Sequence, residues 1–220
     1  MILQAHNLTK LFSNGGGLGG VDLSINRGEF VLLRGANGAG KSTLIKILSL
    51  FEHPDKGYVM MEGMRSDSLR LSNYPLWRRK LGIIPQDLLL LQNRTVFQNL
   101  MIGQRAVGLS RRVSKQRVLK ILAQVGLSHR LREKIGNLSG GEARRVSIAR
   151  ALCSEPFLLL ADEPLGDLDP ETAESIMRLF EKINAQGTAI LMVTHRNDIL
   201  PIVKYRKITL ERGKLLQNSK

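Results

Sequence analysis

Gly35-Ala36-Asn37-Gly38-Ala39-Gly40-Lys41-Ser42-Thr43 is flanked by Phe30-Val31-Leu32-Leu33 on one side and Leu44-Ile45-Lys46-Ile47-Leu48 on the other. The first flank is a short apolar run, as in a buried strand; the second is apolar at helical spacing. The glycines therefore fill a strand-to-helix turn. Glycine lets the backbone bend back and aim successive N–H groups inward. With the positive end of the following helix dipole, those groups make an anion nest. Lys41 adds a full charge that reaches outer phosphates, and the Ser42 hydroxyl can ligate Mg²⁺. The spacing Gly-x-x-x-x-Gly-Lys-Ser in this context predicts a phosphate-binding loop.

Working outward, Ile2 to Leu8 and Val21 to Ile25 alternate as half-buried strands, with a turn at Ser13 to Gly17 between them. Pro54 to Gly57 is a turn before a strand at Tyr58 to Met61, and Leu81 to Ile84 is a buried strand ending at Pro85-Gln86. From Asp87 to Glu155 the signals are helical. Thr95–Gln98 and Ser139–Glu142 have capping-box spacing, and Val118, Ile121, Leu122 and Val125 share one helix face. Phe157 to Ala161 and Thr188 to Val193 are apolar runs suited to strands buried on both faces. Asp169-Pro170 opens a helix to about Ala185, and Tyr205 to Leu216 closes as a hairpin. Alternating strands and helices imply an α/β fold with a mostly parallel sheet and an inserted helical segment. The expected organisation is one domain over 1–220: an α/β core from 1–86 and 156–220, and a helical subdomain from 87–155.

The 220 residues, 43% of them hydrophobic and 24% charged, suffice for a core. No apolar run reaches the length of a membrane span, and no signal peptide is visible. The one cysteine, Cys153, is expected to be a buried structural thiol, which together with these features points to the cytoplasm. The net charge of +14 is spread over local clusters such as Arg78-Arg79-Lys80 and Arg111-Arg112. Most of it reads as solvated helix faces. The remainder suits a membrane surface or a partner before nucleic acid.

Asp162 and Glu163 end the Phe157–Ala161 strand, at the sheet edge where such folds bind ligands. Asp162 is expected to face the Mg²⁺ shell, and Glu163 to polarise a water near the terminal phosphate. His195 and Gln86 also follow buried strands; His195 is expected to approach the same phosphate, and Gln86 offers an amide oxygen suited to Mg²⁺ or water. Ser139-Gly140-Gly141-Glu142 opens a second helix with unobstructed N–H groups. It should lie far from Lys41 in the same chain, so the two anion sites are expected to meet across a two-fold dimer.

This ordered set resembles the ATP-binding cassette ATPases over essentially the whole chain. The resemblance matches residues 35–43 to Walker A, Gln86 to the Q-loop, Leu138 to Glu142 to the signature motif and Leu158 to Asp162 to Walker B. Glu163 then stands as the catalytic carboxylate, Gly166 to Asp169 as the D-loop and His195 as the switch histidine. Phe12 is placed like the aromatic that stacks on adenine. The implied catalytic residues are Glu163, His195 and Lys41. Nucleotide contacts are implied at Phe12, residues 35–43, Gln86, Ser139 to Glu142 and Asp169, and Mg²⁺ contacts at Ser42, Gln86 and Asp162. Leu76 to Asp87 with Arg94 to Val96, Arg178 to Asn184 and Tyr205 to Leu210 are similar to the cell-division subgroup, FtsE. That subgroup implies an FtsX-like membrane partner on the inner face of the cell membrane. Lipoprotein release and macrolide or peptide export are the alternative roles. A nucleic-acid-associated ATPase is less favoured, because neither a second cassette nor a coiled-coil insert is visible. The chain departs from the usual pattern at Pro85, Leu165, Asp167 and Arg196, and Ala143-Arg144-Arg145 replaces a Gln-rich run.

Overall fold

The protein is described by a computed structural model covering residues 1–13, 15–196, 201 and 203–216, with backbone alone for 105–107. Strands β1 (Leu3–Leu11), β2 (Gly17–Ile25) and β3 (Phe30–Arg34) lead into α1 (Lys41–Leu48). Next come β4 (Lys56–Met61), β5 (Met64–Arg65), α2 (Tyr74–Arg79) and β6 (Leu81–Ile84). Three helices then follow in succession: α3 (Val96–Val107), α4 (Arg111–Gln124) and α5 (Gly140–Leu152). The chain returns through β7 (Leu158–Asp162), α6 (Pro170–Ala185) and β8 (Ala189–Val193) to the hairpin of β9 (Arg206–Glu211) and β10 (Lys214–Leu216).

These strands form two sheets. One is antiparallel, in the order β2-β1-β4-β5. The other has the order β10-β9-β3-β8-β7-β6, parallel from β9 to β6. In the parallel sheet Leu33 and Asp162 both stand level with Val193, and Ile84 stands level with Ala161. The carboxyl ends of β3, β8, β7 and β6 thus finish together along one edge.

Alternation along the central strands divides the core. Phe30, Leu32, Leu159, Ala161, Ile190 and Met192 point to one face, where they pack with residues of α3, α4, α5 and α6. Val31, Leu33, Leu158, Leu160, Ala189, Leu191 and Val193 point to the other, against α1, α2 and the antiparallel sheet. A strand covered on both faces has no polar side to show, which is why β3, β7 and β8 read as unbroken apolar runs. Trp77 on α2 is 1% exposed and its Nε1–H donates to the Leu48 carbonyl at 3.0 Å, fixing α2 to the end of α1.

Both capping boxes form: Thr95 with Gln98, and Ser139 with Glu142. The Asp169 carboxylate accepts from the Thr172 N–H at 2.9 Å and caps α6, with Pro170 at its first position. The helical signals expected over 87–155 resolve into α3, α4 and α5, with two short 3-10 turns, Ser128–Arg130 and Ile135–Asn137, between α4 and α5. The amino-terminal strand runs on to Leu11, past an irregularity at Asn7, where φ is 48°. Asn14, inside the expected turn, lies outside the described residues.

Candidate active site

The phosphate-loop turn is held from behind by other backbone. A Cβ at Gly40, whose φ is 103°, would meet the Gly17 carbonyl oxygen at 2.7 Å, and one at Gly35 would meet the Leu210 oxygen at 2.2 Å. Glycine is required at both positions by contact as well as by conformation. Gly40 caps α1 without a side chain, so the first N–H groups of the helix stay open to a ligand. Lys41 is 8% exposed, and its Nζ donates to the carbonyls of Gly35 and Ala36, each at 2.9 Å. Its charge therefore sits inside the loop.

The sheet edge brings the acidic and amide groups to the same place. Glu163 continues from β7 with φ 46°, and its N–H donates to the Val193 carbonyl at 3.0 Å. Its Oε2 lies 2.9 Å from His195 Nδ1 and accepts from the His195 backbone N–H at 3.3 Å. Asp162 is buried at the end of β7 and hydrogen-bonded to Ser42. Burial raises its pKa above the ordinary carboxylate value; the Ser42 bond, Lys41 and Lys46 oppose the rise, and the nearby Glu163 charge adds to it. One of its oxygens, Oδ1, is buried with no hydrogen-bond partner among the described residues. A desolvated carboxylate oxygen beside a serine hydroxyl fits a hard divalent cation.

These residues share a chamber of about 650 Å³, lined among others by Phe12, Asn37, Lys41, Ser42, Gln86, Asp162, Glu163 and His195. The structure thus brings together the loop, both carboxylates, the glutamine and the histidine. It leaves out Ser139, Gly140, Gly141 and Glu142, none of which lines the chamber. Those residues open α5 beside α6: a Cβ at Gly141 would meet Thr172 Cγ2 at 2.5 Å. Asp169 is also outside the lining, occupied with capping α6. Lys46, Arg144 and Asp167 line the chamber as well. Sequence reasoning did not place Lys46 or Arg144 there. Lys46 stands four residues past Ser42 on α1, one turn along the same face, a spacing that could have suggested it. Arg144 carries no local signal, because α5 reaches the chamber only through the tertiary fold.

The ABC transporter family model matches residues 18–166. The chain is 40% identical over 218 residues to the cell division ATP-binding protein FtsE of Streptococcus pneumoniae, across 99% of this chain and 95% of that protein. It is also 40% identical over 216 residues to the lipoprotein-releasing system ATP-binding protein LolD of Aquifex aeolicus, across 98% and 96% of the two. Among solved structures, a dimeric ATP-binding cassette in a post-hydrolysis state, bound to ADP and Pi, superposes with a TM-score of 0.85 at 30% identity. That match spans 100% of this chain and 98% of the other. Family match, full-length relatives and the gathered loop, carboxylates and histidine agree: the chain belongs to the ABC transporter family and is an ATP-hydrolysing cassette.

Proposed function

We propose that the cassette binds ATP with Mg²⁺ in this chamber, closes as a two-fold homodimer around two nucleotides and reopens after hydrolysis. The observation that carries this reading is the separation of two anion-gripping helix starts. The start of α1 lies in the chamber and the start of α5 lies outside it. A second copy would supply its Ser139-Gly140-Gly141 to complete each site.

In this reading Lys41 and the loop N–H groups hold the phosphates, and Phe12 lies against the base. Ser42, Asp162 and Gln86 would hold Mg²⁺, which offsets phosphate charge when bound. Glu163 polarises the attacking water, and His195, hydrogen-bonded to it, orients that carboxylate toward the terminal phosphate. Glu163→Gln tests the assignment. ATP binding should survive, turnover should vanish and an ATP-dependent dimer should accumulate in light scattering. Unchanged turnover in that variant would refute the role given to Glu163.

The helical segment 87–155 would move as one subdomain against the core. An apolar cavity of about 420 Å³, lined by Ile45, Phe51, Ile83, Pro85 and Leu89, opens beside the Gln86 loop. Phe51 and Leu89 are largely exposed there. It would seat a membrane partner, and similarity to FtsE favours an FtsX-like one in cell division. No helix among the described residues is long and apolar enough to cross a membrane. Attachment to the inner membrane face would therefore run through the partner. The equal identity to LolD supports a second reading, lipoprotein release. The membrane protein that co-purifies with the cassette decides between the two.

A further inference from the structure

Arg144 is 7% exposed, and among the described residues no carboxylate lies within ion-pair distance of it. Its Nη1 instead donates to the carbonyls of Pro85, at 3.2 Å, and Gln86, at 3.1 Å. Six residues on, Arg150 donates to the carbonyls of Leu89, at 2.6 Å, and Leu88, at 2.8 Å. Two guanidinium groups of one helix thus hold the main chain of 85–89, a stretch with no regular secondary structure and with Leu89 at φ 48°. Burial lowers the pKa of both arginines, while Asp167 and Asp87 favour the charged form of Arg144. A desolvated cation satisfied by carbonyl oxygens is costly to displace.

The two grips face different cavities. Arg144 lines the nucleotide chamber together with Gln86 and Asp167, whereas Arg150 lines the apolar cavity together with Pro85 and Leu89.

We propose that Arg144 is a positioning residue for Gln86: it ties the glutamine's backbone to the helix that opens with Ser139-Gly140-Gly141, so that loop and helix shift together. This rests on the nucleotide-site role given to Gln86. Arg144 acts by setting where the Gln86 amide stands.

The test is steady-state ATPase kinetics on the whole chain. Arg144→Gln should lower kcat about tenfold, as the loss of an orienting contact behind a ligand does, with KM for ATP changed less than about twofold. Arg144→Lys should recover kcat to within about threefold, because one ammonium can donate to both carbonyls that a single Nη1 serves. In a Gln86→Ala background, Arg144→Gln should have no further effect. Wild-type kcat in Arg144→Gln, or an undiminished effect of it in the Gln86→Ala background, would overturn the proposal. Gln86→Ala that leaves turnover unchanged would remove the role of Gln86 and the proposal with it. Glu163→Gln, measured in parallel, separates the two levels. If turnover is lost there and kept in Arg144→Gln, the site assignment stands and the positioning role falls.

Discussion

His195 Nδ1 and Glu163 Oε2 lie 2.9 Å apart, joining the residue that follows β7 to the residue two past β8. The same oxygen also accepts from the His195 backbone N–H, so the carboxylate is held from two directions. Replacing the imidazole removes one of these contacts and leaves the main-chain bond. His195→Ala should lower kcat about 10²-fold, at the low end for loss of an acid–base partner. ATP affinity, measured by fluorescent nucleotide titration, should change far less.

Gly141 meets Thr172 where α5 and α6 begin side by side. Gly141→Ala should cost about 1–3 kcal/mol in urea denaturation, the usual penalty for overpacking. The clash is with Thr172 Cγ2, which serine lacks. Thr172→Ser should therefore restore most of the loss, and an additive double variant would show that the glycine is required for another reason.

The Ser139–Glu142 capping box carries a pH signature. The Ser139 N–H, then the Arg130 side chain, hold the Glu142 pKa below its ordinary value of 4.5. A depressed folded pKa stabilises the protein above the unfolded value, and that stability is lost as pH falls through the folded pKa. Ser139→Ala should cost about 1 kcal/mol near neutrality. Glu142→Gln should flatten the acid side of the stability curve, read as urea midpoints between about pH 5 and pH 3.

Burial pushes the Cys153 thiol up to about 11 from 9.0. Between those values the unfolded chain has lost a proton that the folded chain keeps, so stability falls as pH rises. Wild type should therefore lose about 2–3 kcal/mol relative to Cys153→Ala on going from about pH 8 to pH 11. Thiol-reactive dye should label wild type only after denaturant is added.

The loop at residues 35–43 was legible because glycine, lysine and serine at fixed spacing have few other uses. The buried strands were legible because two covered faces leave no polar alternation. Helix α2 was not, since six residues cannot display a helical period and its anchor, the Trp77 bond to Leu48, spans 29 residues of sequence. The separation of Ser139 from Lys41 could be argued from chain order, whereas Arg144 could not be placed. Its partners at Pro85 and Gln86 lie 59 and 58 residues away. Asp169 showed its local part in capping α6 through Pro170, and that bond to Thr172 is the one the structure displays.

Among the described residues strand β6 has a ladder on one side only, as the outermost strand of its sheet, whereas β7 is laced to neighbours on both sides. Tugging on the end of β6 frays a single seam; tugging on the end of β7 would tear two. Glu163 thus stands on bedrock while Gln86 stands at a yielding margin. A pull arriving from outside could reset the glutamine and leave the hydrolytic carboxylate where it was.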